Sequence, residues 1–274
     1  LGADIPLVPP LKKCYTSPVQ AFMADSPLFF FALFGAGALA GFVDSIAGGG
    51  GLISLPALLA TGMPPVQALA TNKLQSSFGS FTASMNYVRR QGLLLKDMRI
   101  GILFTFLGAA TGTTLVQFLD TSFLRDVIPI LLVVTVVFFL LQPRLMALGK
   151  KQLLPTHVFQ MAAGLLLGFY DGFFGPGTGS FWMLALVALQ AKDLIAATAR
   201  TKVYNFTSNI TALAFFLLAG APHWTAGLCM AVGQVLGARL GSSLALAWGP
   251  KLIRPLLILI SLAITINLIY PKLH

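Results

Sequence analysis

From Pro27 onward the chain is a train of long apolar stretches separated by short polar ones. Full-length runs cover 28–47, 65–88, 98–119, 122–141, 158–174, 198–219, 223–246 and 252–270. An α-helix needs roughly 20 residues to cross the hydrocarbon core of a bilayer, and these runs have about that length. Two further runs, 52–62 and 180–190, are too short to cross comfortably. Each follows a glycine cluster, Gly48-Gly49-Gly50-Gly51 in one case and Gly175-Pro176-Gly177-Thr178-Gly179 in the other. Glycine and proline interrupt helices. Interrupted backbone at membrane depth persists only where protein or a water-filled cavity covers it. The pattern therefore predicts helices throughout, with two breaks that are not ordinary loops.

The pattern also repeats. Gly41-Phe42-Val43-Asp44 matches Gly168-Phe169-Tyr170-Asp171, each followed by its glycine cluster. Ala70-Thr71-Asn72-Lys73 matches Ala199-Arg200-Thr201-Lys202, and Gly108-x-x-x-Gly112 matches Gly233-x-x-x-Gly237. Arg125-Asp126-Val127-Ile128-Pro129 matches Lys251-Leu252-Ile253-Arg254-Pro255. Four collinear matches at nearly constant offset identify a duplication. We divide the chain into a tail or expression remnant at 1–26, a first membrane repeat at 27–141, a linker at 142–156 and a second repeat at 157–274.

Composition removes the soluble alternative. Hydrophobic residues make up 57% of the 274, charged residues 9%, and the mean hydropathy is +0.85. Soluble domains carry roughly 25% charged residues. The net charge of +10 would suggest nucleic acid in a soluble protein, but in a membrane protein it reads as cytoplasmic loops retained by their basic residues. Arg89, Arg90, Lys96 and Arg99 follow the third segment of the first half, whereas 219–223 in the second half has no Lys or Arg. Asp120 stands alone at 119–122, whereas its counterpart is flanked by Arg239, Lys251 and Arg254. Placing all basic loops inside requires inverted halves, a cytoplasmic linker and both termini outside. The expected fold is an all-α polytopic membrane protein of two inverted repeats, about five hydrophobic segments each, with glycine-broken short helices at the centre.

Few ionisable groups lie inside the apolar runs: Asp44, Lys73, Asp171, Arg200, Lys202 and, near one end, Arg239. Intramembrane charges are costly and mark a pathway or a pair. Lys73, Ser76, Ser77, Ser80 and Ser84 share one helix face, and Lys202, Asn205, Ser208 and Asn209 form the corresponding stripe. Cation, amide and hydroxyl donors together suit a small oxyanion, and a helix that starts after a glycine break adds N–H groups and a favourable dipole. The expected substrate-binding set is Lys73, Lys202, Arg200, Asn72, Ser76, Asn205, Asn209, Gly49, Gly50, Gly177 and Thr178. Asp44 and Asp171 are expected to couple, gate or position the lysines. The plainer reading is that lysines and aspartates neutralise one another as buried pairs. Gly108, Gly112, Gly233 and Gly237 read as helix packing. Isolated Cys14 and Cys229 and scattered His157, His223 and His274 give no metal site or cofactor. Neither glycine cluster has the phosphate-loop spacing of nucleotide-binding proteins.

At these residues the chain resembles the sulfite exporter TauE/SafE family. The first half carries the likeness at Ala40-Gly41-Phe42-Val43-Asp44-Ser45-Ile46-Ala47-Gly48-Gly49-Gly50-Gly51 and Ala70-Thr71-Asn72-Lys73. In the second half it lies in 168–180, from Gly168 to Ser180. The closest likeness is to the subgroup described only as membrane transporters. The resemblance implies a multi-pass bacterial inner-membrane permease, not an enzyme, handling sulfite, sulfonates or other small sulfur-containing anions. We expect a proton-coupled exporter of such anions, with the bilayer and a small anion as its partners and no nucleic acid. A homo-oligomer stays open. The alternatives are a cation or proton transporter using Asp44 and Asp171, and, further off, an intramembrane aspartyl protease in which the two carboxylates share a proton.

Overall fold

The protein is described by a computed structural model covering residues 27–146, 151–220, 222–249 and 251. The expected tail at 1–26 and last segment at 252–270 lie outside the described residues. Those described form nine α-helices and no strand. The first half holds α1 (Pro27–Ala47), α2 (Gly51–Ala60), α3 (Pro65–Gln91), α4 (Arg99–Gln117) and α5 (Thr121–Met146). The second holds α6 (Thr156–Phe173), α7 (Thr178–Gln190), α8 (Leu194–Leu218) and α9 (Trp224–Trp248). This is an all-α polytopic membrane protein. Helix α5 runs past its expected end at 141 to Met146, across Pro143, a residue that ordinarily ends or kinks a helix.

The ends follow local chemistry. Pro64-Pro65 opens α3, where a proline's missing N–H costs nothing. Gly92 closes α3 in the left-handed conformation at φ +60°, after Arg89 and Arg90 have complemented the negative end of the helix dipole. Asp193 caps α8 by accepting from Ala196 N at 2.9 Å. Helices α1, α4, α5 and α9 contain stretches long and apolar enough to cross a membrane by themselves. Helices α3 and α8, at 27 and 25 residues, are also long enough, but they carry the polar stripes.

Helix direction follows from the glycine contacts. A methyl group at Gly233 would meet Ala38 N at 2.8 Å, and one at Gly237 would meet Phe42 N at 2.8 Å, so α1 and α9 run parallel. Methyl groups at Gly108 and Gly112 would meet Phe169 N at 2.7 Å and Phe173 N at 2.9 Å, so α4 and α6 also run parallel. The two G-x-x-x-G pairs thus serve close packing, as expected. Each half lends its fourth helix to the first helix of the other half. Helix α3 runs beside α9, with Asn86 donating to Ser242 at 2.8 Å and Leu74 packed on Gly227. Against α8 it runs the other way: Lys73 reaches Asn209, and Phe81 lies against Phe206 with ring centroids 5.2 Å apart and planes tilted by 52°. Corresponding helices of the two halves therefore point in opposite directions, which is the inversion expected from the basic loops.

One end of the bundle gathers Gln91–Asp97, the start of α6 and the end of α7. Gln160 donates to Asp97 O at 2.7 Å, and Gln190 donates to Leu154 O at 2.8 Å. Arg89, Arg90, Lys96, Arg99, Lys151 and Lys192 collect there. The turns at the opposite end, 61–64, 118–120 and 219–223, hold no Lys or Arg, and Arg125 there is accompanied by Asp126 in the second turn of α5. Outside the bundle, Leu166 and Leu240 are 68% and 63% exposed, whereas Lys73 and Lys202 inside are 1% and 0% exposed. That inversion of the soluble pattern is what a lipid solvent selects.

Candidate functional site

The two glycine breaks cross at the centre. Gly48, at φ +83°, has room for no side chain: a methyl there would stand 2.5 Å from Ser180 N and 2.6 Å from Gly179 Cα. A methyl on Gly51 would meet Pro176 Cα at 2.8 Å. Glycine supplies both the left-handed turn and the close approach of backbones. The first helix of each repeat thus stops against the start of the short helix of the other. Tyrosines brace the crossing, Tyr87 donating to Ser45 O at 3.0 Å and Tyr170 to Pro176 O at 2.7 Å.

Around the crossing the buried charges pair between repeats. Lys73 Nζ of α3 lies 2.6 Å from Asp171 Oδ1 of α6 and donates to Asn209 Oδ1 at 3.1 Å. Lys202 Nζ of α8 lies 3.3 Å from Asp44 Oδ2 of α1 and donates to the main-chain carbonyl of Asp44. Lys73, Asp171 and Lys202 are buried and Asp44 is part-buried, so removing either carboxylate leaves a buried ammonium without its counter-charge. The reading of the lysines and aspartates as neutralising pairs therefore describes this state of the protein. Among the described residues no hydrogen bond joins Asp44 to Asp171. The shared-proton dyad of an aspartyl protease is not formed here, because each carboxylate is held by a lysine instead.

Between the pairs lies a small cavity of about 20 Å³, room for about one water molecule. Of the expected residues it is lined by Lys73, Asn72, Ser76, Asn205, Asn209, Gly50, Gly177, Thr178, Asp44 and Asp171. Helices α2 and α7 begin on its wall at Gly50 and Gly177, and neither start has a side-chain cap. Most of their first N–H groups are spent within the turns, Leu52 N on Gly49 O at 3.0 Å and Thr178 N on Gly175 O at 3.1 Å, so what the two starts bring to the cavity is chiefly the positive ends of their dipoles. Asn205 Oδ1 is buried without a hydrogen-bond partner, so the wall retains unused polar capacity. Asn72 is more committed, accepting from Ser54 at 2.6 Å and Gln75 at 2.8 Å.

Three expected residues stand elsewhere. Lys202 lies behind Asp44 rather than on the cavity wall. Gly49 faces Phe139, 3.0 Å from where a methyl would stand. Arg200 is two residues before Lys202, and this turns it to another face of α8. It donates to Ala196 O at 3.3 Å and lines a separate hollow of about 240 Å³ with Gln91, Leu94 and Asp97 at the basic end of the bundle. With Arg200 outside, the centre does not carry the basic excess expected from the sequence. Sequence reasoning passed over Gln234 of α9, which lines the cavity and packs its amide against Gly41 and Gly79. The available signal was a lone amide in an apolar helix, next to a glycine assigned to packing.

The comparisons agree with one another. The family described as Sulfite exporter TauE/SafE matches residues 33–268. The "Probable membrane transporter protein YfcA" of Escherichia coli K12 is 46% identical over 245 residues, covering 89% of this chain and 91% of that protein. A "Probable membrane transporter protein" of Haemophilus influenzae is 44% identical over 240 residues, covering 88% and 94%. One from Bacillus subtilis, YunE, is 23% identical over 263 residues. No solved structure matches.

Proposed function

The chain belongs to the TauE/SafE sulfite exporter family, and from that premise we propose that this membrane transporter exports a small sulfur oxyanion, sulfite or an organosulfonate, across the bacterial inner membrane in a proton-coupled cycle. The observation that carries this reading is the cavity at the crossing of two interrupted helices. It combines an ammonium group, carboxamides and two uncapped helix starts within an apolar bundle. Inverted repeats with broken helices form transporter sites in this way. Lys73, held in place by Asp171 and Asn209, supplies a fixed positive charge. Asn205, Asn209 and Ser76 supply donors, and the starts at Gly50 and Gly177 supply the positive ends of two helix dipoles. The basic end of the bundle is the cytoplasmic end.

With room for about one water, the cavity corresponds to a closed state. Entry of an anion requires the crossing to open, and the natural units are the two groups of parallel helices, α1–α3–α9 and α4–α6–α8, tilting about it. The test is a binding scan of purified protein against sulfite, thiosulfate, sulfate, methanesulfonate, chloride and sodium. A sulfur oxyanion should bind, and Lys73→Gln should weaken it roughly ten- to a hundredfold, the worth of one charge-assisted hydrogen bond. Binding of sodium that depends on Asp44, with no anion bound, would replace this reading by the cation one.

A further inference from the structure

The two ion pairs occupy equivalent places in the repeats, yet they are built differently. Asp171 accepts from Lys73 at 2.6 Å and from Ser208 Oγ, with the Thr178 hydroxyl 3.2 Å away but directed chiefly at Gly175 O, 2.6 Å from it. Its side chain is 4% exposed. Asp44 has Lys202 at 3.3 Å, and its side chain is 21% exposed and opens on the cavity. The difference is written in the sequence. At the repeat offsets, Thr178 corresponds to Gly51, Ser208 to Gly79 and Asn209 to Ser80. The first two supply no side chain at all, and Ser80 spends its hydroxyl on Ser76 O at 2.7 Å. Gln234 reaches into the space above Gly79 instead.

The charges add a second constraint. Two ammonium groups face two carboxylates at the centre, and the ionisable residues on the cavity wall are Asp44, Lys73 and Asp171. The set is neutral before any anion arrives. An anion brought into it leaves a net buried charge, which a low-dielectric interior resists. One proton on a carboxylate restores neutrality. Asp171 is committed to Lys73 and Ser208 and almost fully buried, whereas among the described residues Asp44 has Lys202 alone and is the more open of the two carboxylates to an entering anion and its proton.

We propose that Asp44 alone takes up a proton as the anion enters, so that a monoanion and one proton bind together while the Asp171–Lys73 pair stays intact. This rests on the anion reading above. Protonated, Asp44 no longer neutralises the Lys202 ammonium, which stays on the Asp44 main-chain carbonyl and whose charge then acts on the anion. The charged or titratable groups facing Asp44 are Lys202 from α8, Tyr87 and Lys73 from α3, and Asp171 from α6 across the cavity. The two halves have thus divided their roles: the second supplies a fixed clamp and the first a carboxylate that titrates.

The test uses methanesulfonate, whose charge does not change over the working pH range, so that any proton uptake belongs to the protein. In weakly buffered solution, wild-type protein should take up about one proton per bound methanesulfonate. Its affinity should fall about tenfold per pH unit wherever one proton is taken up per bound anion. Asp44→Asn mimics the protonated state, so it should bind without proton uptake and with a flat pH profile. The double variant Lys73→Gln/Asp171→Asn leaves the set neutral with Asp44 as its carboxylate, so it should bind more weakly while keeping the wild-type proton uptake and slope, and loss of uptake in it would overturn the assignment to Asp44. Binding by wild type with no proton uptake, or uptake that survives in Asp44→Asn, overturns the assignment and leaves the anion reading standing. The wild-type measurement is independent of whether either variant folds. A wild type that binds none of methanesulfonate, sulfite and thiosulfate overturns both.

Discussion

Replacing Asp171 by Asn strands the Lys73 ammonium, which is 1% exposed, with Asn209 Oδ1 at 3.1 Å as its remaining acceptor. Breaking one side of a buried pair costs about 3–5 kcal/mol. The Ser208 hydroxyl also loses a charged acceptor, which adds roughly 1 kcal/mol. The reverse change, Lys73→Gln, should cost less, because Asp171 keeps the Ser208 donor and the new amide can donate to it. The double variant Lys73→Gln/Asp171→Asn contains no stranded charge and should be more stable than Asp171→Asn alone. The coupling between the two changes should therefore exceed about 1 kcal/mol, well above the scatter of independent sites. Asp44→Asn should destabilise less than Asp171→Asn, since Lys202 keeps the Asp44 main-chain carbonyl as acceptor. Denaturant and thermal unfolding of the detergent-solubilised variants, followed by tryptophan fluorescence, gives the ranking. Losses that simply add, with a coupling under about 0.5 kcal/mol, would show that the Lys73–Asp171 bond is not made and would refute the reasoning.

Two further outcomes follow from the backbone. Gly48→Ala should destabilise far more than Gly92→Ala: both positions are left-handed, at φ +83° and +60°, but a methyl at Gly92 meets open space whereas one at Gly48 meets the Gly179–Ser180 backbone. The left-handed conformation alone costs roughly 1–2 kcal/mol for an L-residue, so equal melting temperatures for the two variants would remove the crossing. Reporter fusions or cysteine labels at Gln91 and Lys151 should report one side of the membrane and those at Gly220 the other, and agreement between Gln91 and Gly220 would refute the inverted repeats.

The membrane class, the duplication and the inversion were legible in the chain because lipid imposes long apolar runs, and basic residues mark the side that keeps them. The breaks were legible for the same reason: glycine clusters are out of place in such runs. Which charges meet was not legible. Lys73 and Asp171 stand in different repeats, 98 positions apart, and their pairing depends on how α3 and α6 pack about the crossing. Arg200 shows the limit of reading a motif as a block. It replaces Thr71 of the other repeat, lies two residues from Lys202, and helical rotation sends it to the basic end of the bundle. Gln234 was hidden by its neighbour, since Gly233 carries the packing signal and the amide beside it looked incidental. The unequal surroundings of Asp44 and Asp171 could have been read from Gly51 against Thr178 and Gly79 against Ser208, but only once those positions were known to face a carboxylate.

The central claim is that a small sulfur oxyanion passes through the crossing of the broken helices, and flux tests it most directly. Purified protein reconstituted into liposomes loaded with radiolabelled sulfite should release it faster than protein-free liposomes. Release should be faster still under an imposed pH gradient of the coupled direction. It should be strongly reduced in Lys73→Gln and Lys202→Gln proteins whose melting temperatures show an intact fold. Release no faster than from protein-free liposomes, for sulfite, thiosulfate and methanesulfonate alike, would contradict the account, as would full activity in both lysine variants.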